Sequence, residues 1–77
     1  MKPKKAVQIL TALAEENRVN VYKLLVQEGK EGLSAGTIAK ILEIPAATLS
    51  FHLSKMTNAG LLKSQRKGRV IMYAAKE

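Results

Sequence analysis

The chain has 77 residues, 47% of them apolar, with one phenylalanine, two tyrosines, no tryptophan and no cysteine. A chain this short buries only about 60% of its unfolded surface, which argues against a deep catalytic cavity beside a packed core. The missing thiols exclude disulfides, thiolate metal ligation and a cysteine redox switch within these residues. The net charge of +7 is unevenly placed. Residues 44–76 hold six basic side chains (Lys55, Lys63, Arg66, Lys67, Arg69, Lys76) and no acid, whereas residues 1–43 hold seven basic and five acidic ones. The second half therefore carries the field that a polyanion would meet. With so few aromatics the core must come from Leu, Ile, Val and Ala, which favours helices in one small domain spanning residues 1–77.

Pro3 suits a first helical turn, and Val7, Leu10, Leu13 and Ala14 follow at helical spacing. Lys2-Pro3-Lys4-Lys5 ahead of Ala6–Ala14 imitates a secretory signal. The apolar run is short, however, and is broken by Gln8 and Thr11, and cleavage would delete a helix that the small core needs. A second helix is expected from about Glu16 to Glu28, with Val21, Leu24, Leu25 and Glu28 on its inner stripe and Gly29 as its stop. Leu33 either adds a residue of strand or plugs the core. Ser34 is a good N-cap for a third helix, whose apolar stripe is Ile38, Ile41 and Leu42. Gly36 costs that helix about 1 kcal/mol relative to alanine, and close backbone packing would account for it.

Pro45 bars continuation of the third helix and restricts Ile44, so a fourth helix is expected over residues 45–59. Leu49, Leu53, Met56 and Gly60 share its inner face by 3.6-residue periodicity. Asn58-Ala59-Gly60 closes it. Two strands, Leu61–Arg66 and Arg69–Ala74, then flank a Lys67-Gly68 turn with glycine second, which suits a hairpin. The expected fold is mainly α with a small β-hairpin: about four helices and a two-stranded hairpin over residues 61–74. No segment is long enough to span a membrane.

The third and fourth helices meet at a tight corner, an arrangement suited to reading DNA. The outward face of the fourth is small and mostly uncharged: Ala46, Ala47, Thr48, Ser50 and Ser54, with Phe51 and Lys55. Small residues let the backbone approach the floor of the major groove. Thr48 and Ser50 can bond bases or phosphates, Ala46, Ala47 and Phe51 can contact thymine methyls, and Lys55 can reach a phosphate. Arg66, Lys67 and Arg69 at the hairpin tip can reach phosphates or a narrow minor groove. The competing reading of that tip is a charged edge that discourages aggregation. Phe51 is an apolar ring opposite Leu49 and Leu53, so it needs a partner, either DNA or a protein. His52 is the only histidine, and its expected role is packing or a phosphate contact. No second ligand stands at a metal-binding spacing from it. No catalytic constellation or Gly-rich phosphate loop is present, so no enzyme activity and no cofactor is expected.

These pieces resemble the winged helix-turn-helix core of the ArsR/SmtB family of bacterial repressors, over roughly Val7 to Ala75. Leu13-Ala14-Glu15-Glu16-Asn17-Arg18-Val19 resembles the family's segment opening its second helix. Thr48-Leu49-Ser50-Phe51-His52-Leu53 resembles its recognition-helix signature, and Ala59-Gly60-Leu61-Leu62 and Arg66-Lys67-Gly68-Arg69 with Tyr73 resemble its helix end and wing. The resemblance implies a cytoplasmic transcriptional repressor, bound as a homodimer to an inverted-repeat operator and released by an inducer. Ala6, Val7, Ile9 and Leu10 of the first helix are then candidates for the dimer interface. The family's cysteine pair in the support helix is absent, Leu33–Thr37 standing in that region, and Glu43 occupies a corner position where glycine is common. Members usually continue into a C-terminal helix that pairs across the dimer, whereas the present sequence stops at Glu77, as a fragment or a minimal member would. The alternative function is a winged-helix protein-docking module anchored by Phe51 and the basic surface.

Overall fold

Neither glycine nor proline occurs between Pro3 and Gly29, and in the computed structural model this stretch is a single helix, α1 (Pro3–Glu28). The structure describes the backbone of residues 3–76 and the side chains of residues 15–76. The two helices expected before Gly29 are therefore one. Ala, Leu and Glu around residues 12–16 are strong helix formers, and nothing there breaks the backbone ladder. Val21 and Leu25, one turn apart, are fully buried, while Glu28 is exposed and does not belong to the inner stripe. Gly29 ends the helix at φ +74°, and Gly29–Glu31 form one 3-10 turn.

Leu33–Ser34 form a two-residue strand, β1, and helix α2 (Ala35–Leu42) follows directly. Ser34 caps it as its residue type suggests: the Thr37 N–H donates to Ser34 Oγ at 3.2 Å. Ile38 is fully buried, with Ala35, Ala39 and Leu42 packed around the same core. Ile41 is 52% exposed, against the expected stripe. The buried arc is centred between Ile38 and Ala39, and position 41 lies more than a right angle away from it on a 3.6-residue helix. Gly36 is not explained by close packing either, since a β-carbon there would meet no atom within 4 Å.

Helix α3 (Ala46–Asn58) buries Leu49, Leu53 and Met56 as their periodicity requires. It ends in a Schellman motif, with the Gly60 N–H donating to the Thr57 carbonyl and the Leu61 N–H to the Met56 carbonyl, both at 3.0 Å. Gly60, at φ +82°, is the left-handed residue that this motif needs. It is exposed, so it serves the turn and does not belong to the inner face.

Strands β2 (Leu62–Lys67) and β3 (Val70–Ala75) form the hairpin. With β1 they make a three-stranded antiparallel sheet in the order β1-β3-β2. Leu33 opposes Tyr73 and Ser34 opposes Met72, so Leu33 both adds a strand residue and packs on the core. That core is Val21, Leu25, Ile38, Ile44, Leu49, Leu53, Met56 and Leu62. It fastens α1, the α2–α3 corner and the base of β2 to one another. Truncating any one of its fully buried leucines to alanine is worth about 2–5 kcal/mol.

Candidate nucleic-acid interface

The corner that presents α3 is built from three consecutive residues with different tasks. Glu43 takes the left-handed conformation, φ 55° and ψ 43°, and is the non-glycine residue at positive φ among the described residues. Ile44 turns into the core, 6% exposed. Pro45, at φ −55° and ψ 141°, sits just ahead of the helix, where its missing N–H costs nothing. The Leu49 N–H donates to the Pro45 carbonyl at 2.9 Å and closes the first turn of α3.

With Leu49, His52, Leu53 and Met56 buried on one side, the opposite face of α3 is open to solvent. Ala46, Ala47, Thr48, Ser50, Phe51, Ser54 and Lys55 are all exposed, as their spacing suggests. Phe51 is 55% exposed, and Lys55 Nζ lies 5.3 Å from its ring centroid. A cation over the ring face partly satisfies an aromatic group that water alone would leave uncovered.

His52 is 2% exposed. Arg18 on α1 donates from Nε to His52 Nδ1 at 3.5 Å, a long hydrogen bond. Burial, and secondarily the Arg18 charge, hold the imidazole below its ordinary pKa, so His52 is a neutral acceptor with its proton on Nε2. His52 is thus a packed side chain that ties α3 to α1. No group of three His, Asp or Glu residues that could hold a metal occurs among the described residues.

The hairpin tip differs from expectation by one position. Lys67 pairs with Val70, so the two-residue turn is Gly68-Arg69, with glycine first at φ +63°. A two-residue turn with positive φ at its first position is the type II′ arrangement, which matches the twist of the strands. Arg66, Lys67 and Arg69 are all exposed. Arg66 Nε donates to the Gly68 carbonyl at 3.3 Å and lies along the tip. Lys67 Nζ is 3.9 Å from a carboxylate oxygen of Glu31, so an acid from the first half of the chain stands beside the tip.

The chain compares closely with known regulators. Residues 13–65 match the helix-turn-helix domain family. Over 71 residues the chain is 34% identical to the HTH-type transcriptional regulator YgaV of Escherichia coli, covering 92% of this chain and 70% of the relative. The chain belongs to the ArsR-type family of helix-turn-helix transcriptional regulators. It is also 31% identical over 72 residues to a cadmium resistance regulatory protein CadC homolog of Staphylococcus aureus, covering 94% of this chain and 58% of that relative. The fold is similar to HlyU from Vibrio cholerae, with a TM-score of 0.73 and 28% identity over all of this chain and 83% of that one. This regulator therefore has the winged-helix fold and is a DNA-binding transcriptional regulator.

Three features of the regulator's site were hidden in the sequence. Arg18 and His52 are 34 positions apart, and no periodicity links them. Glu31 reaches the tip only because the 3-10 turn lies beside β3. A groove of about 350 Å³ runs between α1 and the end of α3, lined by Arg18, Val19, Tyr22, Lys23, Met56 and Leu61. Its only sequence signal is the spacing of Val19 three residues before Tyr22, which puts the two on one side of a helix. The side chains of Ala6, Val7, Ile9 and Leu10, expected at a dimer interface, lie outside the described residues.

Proposed function

We propose that the chain is a sequence-specific repressor that lays α3 in the major groove of DNA and sets its wing on the adjacent backbone or minor groove. The observation that carries this reading is the open face of α3, with small side chains at Ala46, Ala47, Thr48 and Ser50 and no acid in the sequence between Glu43 and Glu77. On that face Thr48 and Ser50 are the bonding groups, Ala46, Ala47 and Phe51 the apolar contacts, and Ser54 and Lys55 the groups that meet the backbone. Arg66, Lys67 and Arg69 add phosphate neutralisation from the wing. Repression as the outcome is supported by the name of one relative, 31% identical over 67 residues, a putative arsenical resistance operon repressor of Halobacterium salinarum.

A homodimer on an inverted repeat, formed through Ala6, Val7, Ile9 and Leu10 of α1, completes the reading, because a symmetric pair doubles the recognised sequence. A cytoplasmic location follows from the task, and no helix among the described residues is long and apolar enough to cross a membrane. The test is binding to duplexes selected from a random pool. Ala47→Glu, which sets a carboxylate against the DNA, should abolish selection while leaving the thermal midpoint within a few degrees. Retention of wild-type affinity in that variant would remove α3 from the interface.

A further inference from the structure

Four side chains form an unbroken line from α1 to the exposed face of α3. Arg18 Nε donates to His52 Nδ1 at 3.5 Å. The His52 imidazole meets the Phe51 ring edge-on, with centroids 6.1 Å apart and planes at 63°. Lys55 Nζ stands 5.3 Å from the centroid of the same ring. The line starts at a half-buried guanidinium, passes through a buried imidazole and ends in two exposed groups.

Each link limits the next. A guanidinium Nε–H is fixed in a plane, so the bond to Nδ1 orients the imidazole as well as holding it. The imidazole and the Phe51 ring then meet in an inclined, edge-type arrangement, the kind that aromatic pairs prefer. An exposed phenylalanine otherwise samples several rotamers, and this contact favours one. The settled ring in turn provides the face over which Lys55 rests its ammonium. A lysine side chain without such support spreads its charge over many positions at an entropic cost on binding.

We infer that Arg18, on a different helix from the reading face, is a positioning residue for DNA recognition, acting through His52 and Phe51 to set where the Lys55 ammonium stands. This rests on the reading of α3 as the DNA-contacting helix. It goes beyond that reading by assigning a role to a side chain of α1, and it gives α1 a physical route to the grip of α3.

Arg18→Lys tests it, because the charge is kept while the planar Nε donor is lost. Phe51 is the only phenylalanine, so a 4-fluorophenylalanine label gives one fluorine resonance that reports this ring alone. In the DNA-free protein, Arg18→Lys should shift that resonance. Arg18→Met, a second variant with no donor at all, should shift it in the same direction. On the duplex that the wild type selects from a random pool, Arg18→Lys should bind about tenfold more weakly, because a Lys55 side chain that is no longer positioned beforehand must give up its rotamer freedom on binding. In a Lys55→Ala background the same substitution should change affinity less than about twofold, because the end of the line is gone. An unmoved resonance in both variants overturns the inference. So does a full tenfold loss in the Lys55→Ala background, which would mean that Arg18 touches DNA by another route. If the wild type selects no duplex, the reading of α3 fails, and the resonance still decides whether the line exists.

Discussion

Gly32 and Tyr73 are packed backbone to backbone: a β-carbon on Gly32 would run into the Tyr73 carbonyl oxygen. Gly32 holds φ 68° and ψ −164°, a region essentially confined to glycine. This approach seats β1 against β3 and so ties the start of α2 to the inner strand of the wing. Gly32→Ala should lower stability by at least about 2 kcal/mol, from backbone strain together with the clash. Urea unfolding checks this, and a midpoint equal to that of wild type would mean that the strand pairing tolerates the added methyl.

Gly36 is the opposite case. It lies inside α2, and its α-carbon has open space around it. Gly36→Ala should therefore stabilise the fold by about 0.5–1 kcal/mol through helix propensity and reduced freedom of the unfolded chain. The same unfolding series measures it, and the two glycines should move the midpoint in opposite directions.

What the sequence made legible was mostly what depends on near neighbours. Leu49, Leu53 and Met56 fall on the buried face of α3 because a helix period is local, and Ser34, Gly29 and Gly60 mark ends because caps need only adjacent residues. Joining two expected helices into α1 required weighing the absence of a breaker at Ala14–Glu16 above a fading apolar stripe. The strand β1 could not be settled, since Leu33 gains its ladder only from Tyr73, forty positions on. In the wing, Lys67-Gly68 and Gly68-Arg69 are both acceptable turns locally, and the cross-strand register of Leu62 with Ala75 through Lys67 with Val70 selects the second. The open face of α3 was readable from spacing, but its tether to Arg18 was not, because two side chains 34 positions apart meet only in the folded chain.

His52 gives the fold a pH dependence with a definite sign. Its pKa is lowered from the ordinary 6.5, by burial first and by the Arg18 charge second. The unfolded chain thus binds the proton more readily than the folded one. Stability is fully present above about pH 6.5 and falls as pH drops from there through the folded-state value, below which it levels off. His52 is the only histidine, so His52→Asn should remove this dependence. Unfolding midpoints measured through that range check it, and a wild-type profile that is flat there would contradict a neutral, buried imidazole.

The pair Glu31–Lys67 should matter little for stability and more for binding. Both side chains are well exposed and the separation is 3.9 Å, a geometry that contributes well under 1 kcal/mol. Glu31→Gln should leave the melting temperature within error. It should raise affinity for random duplex DNA by a few-fold at low salt, as removal of a nearby like charge to phosphate does. Equal affinity at low salt would show that the wing tip does not meet the backbone.

The central claim is that α3 and the wing together read a DNA sequence. Its most direct test is the affinity of the wild type for its selected duplex and for a scrambled duplex of equal composition, followed across salt concentration. The selected duplex should be preferred by at least about a thousandfold, and affinity for both should fall linearly with log salt. In Arg69→Ala the slope should be reduced by about one. Equal affinity for the two duplexes, or binding indifferent to salt, would contradict it.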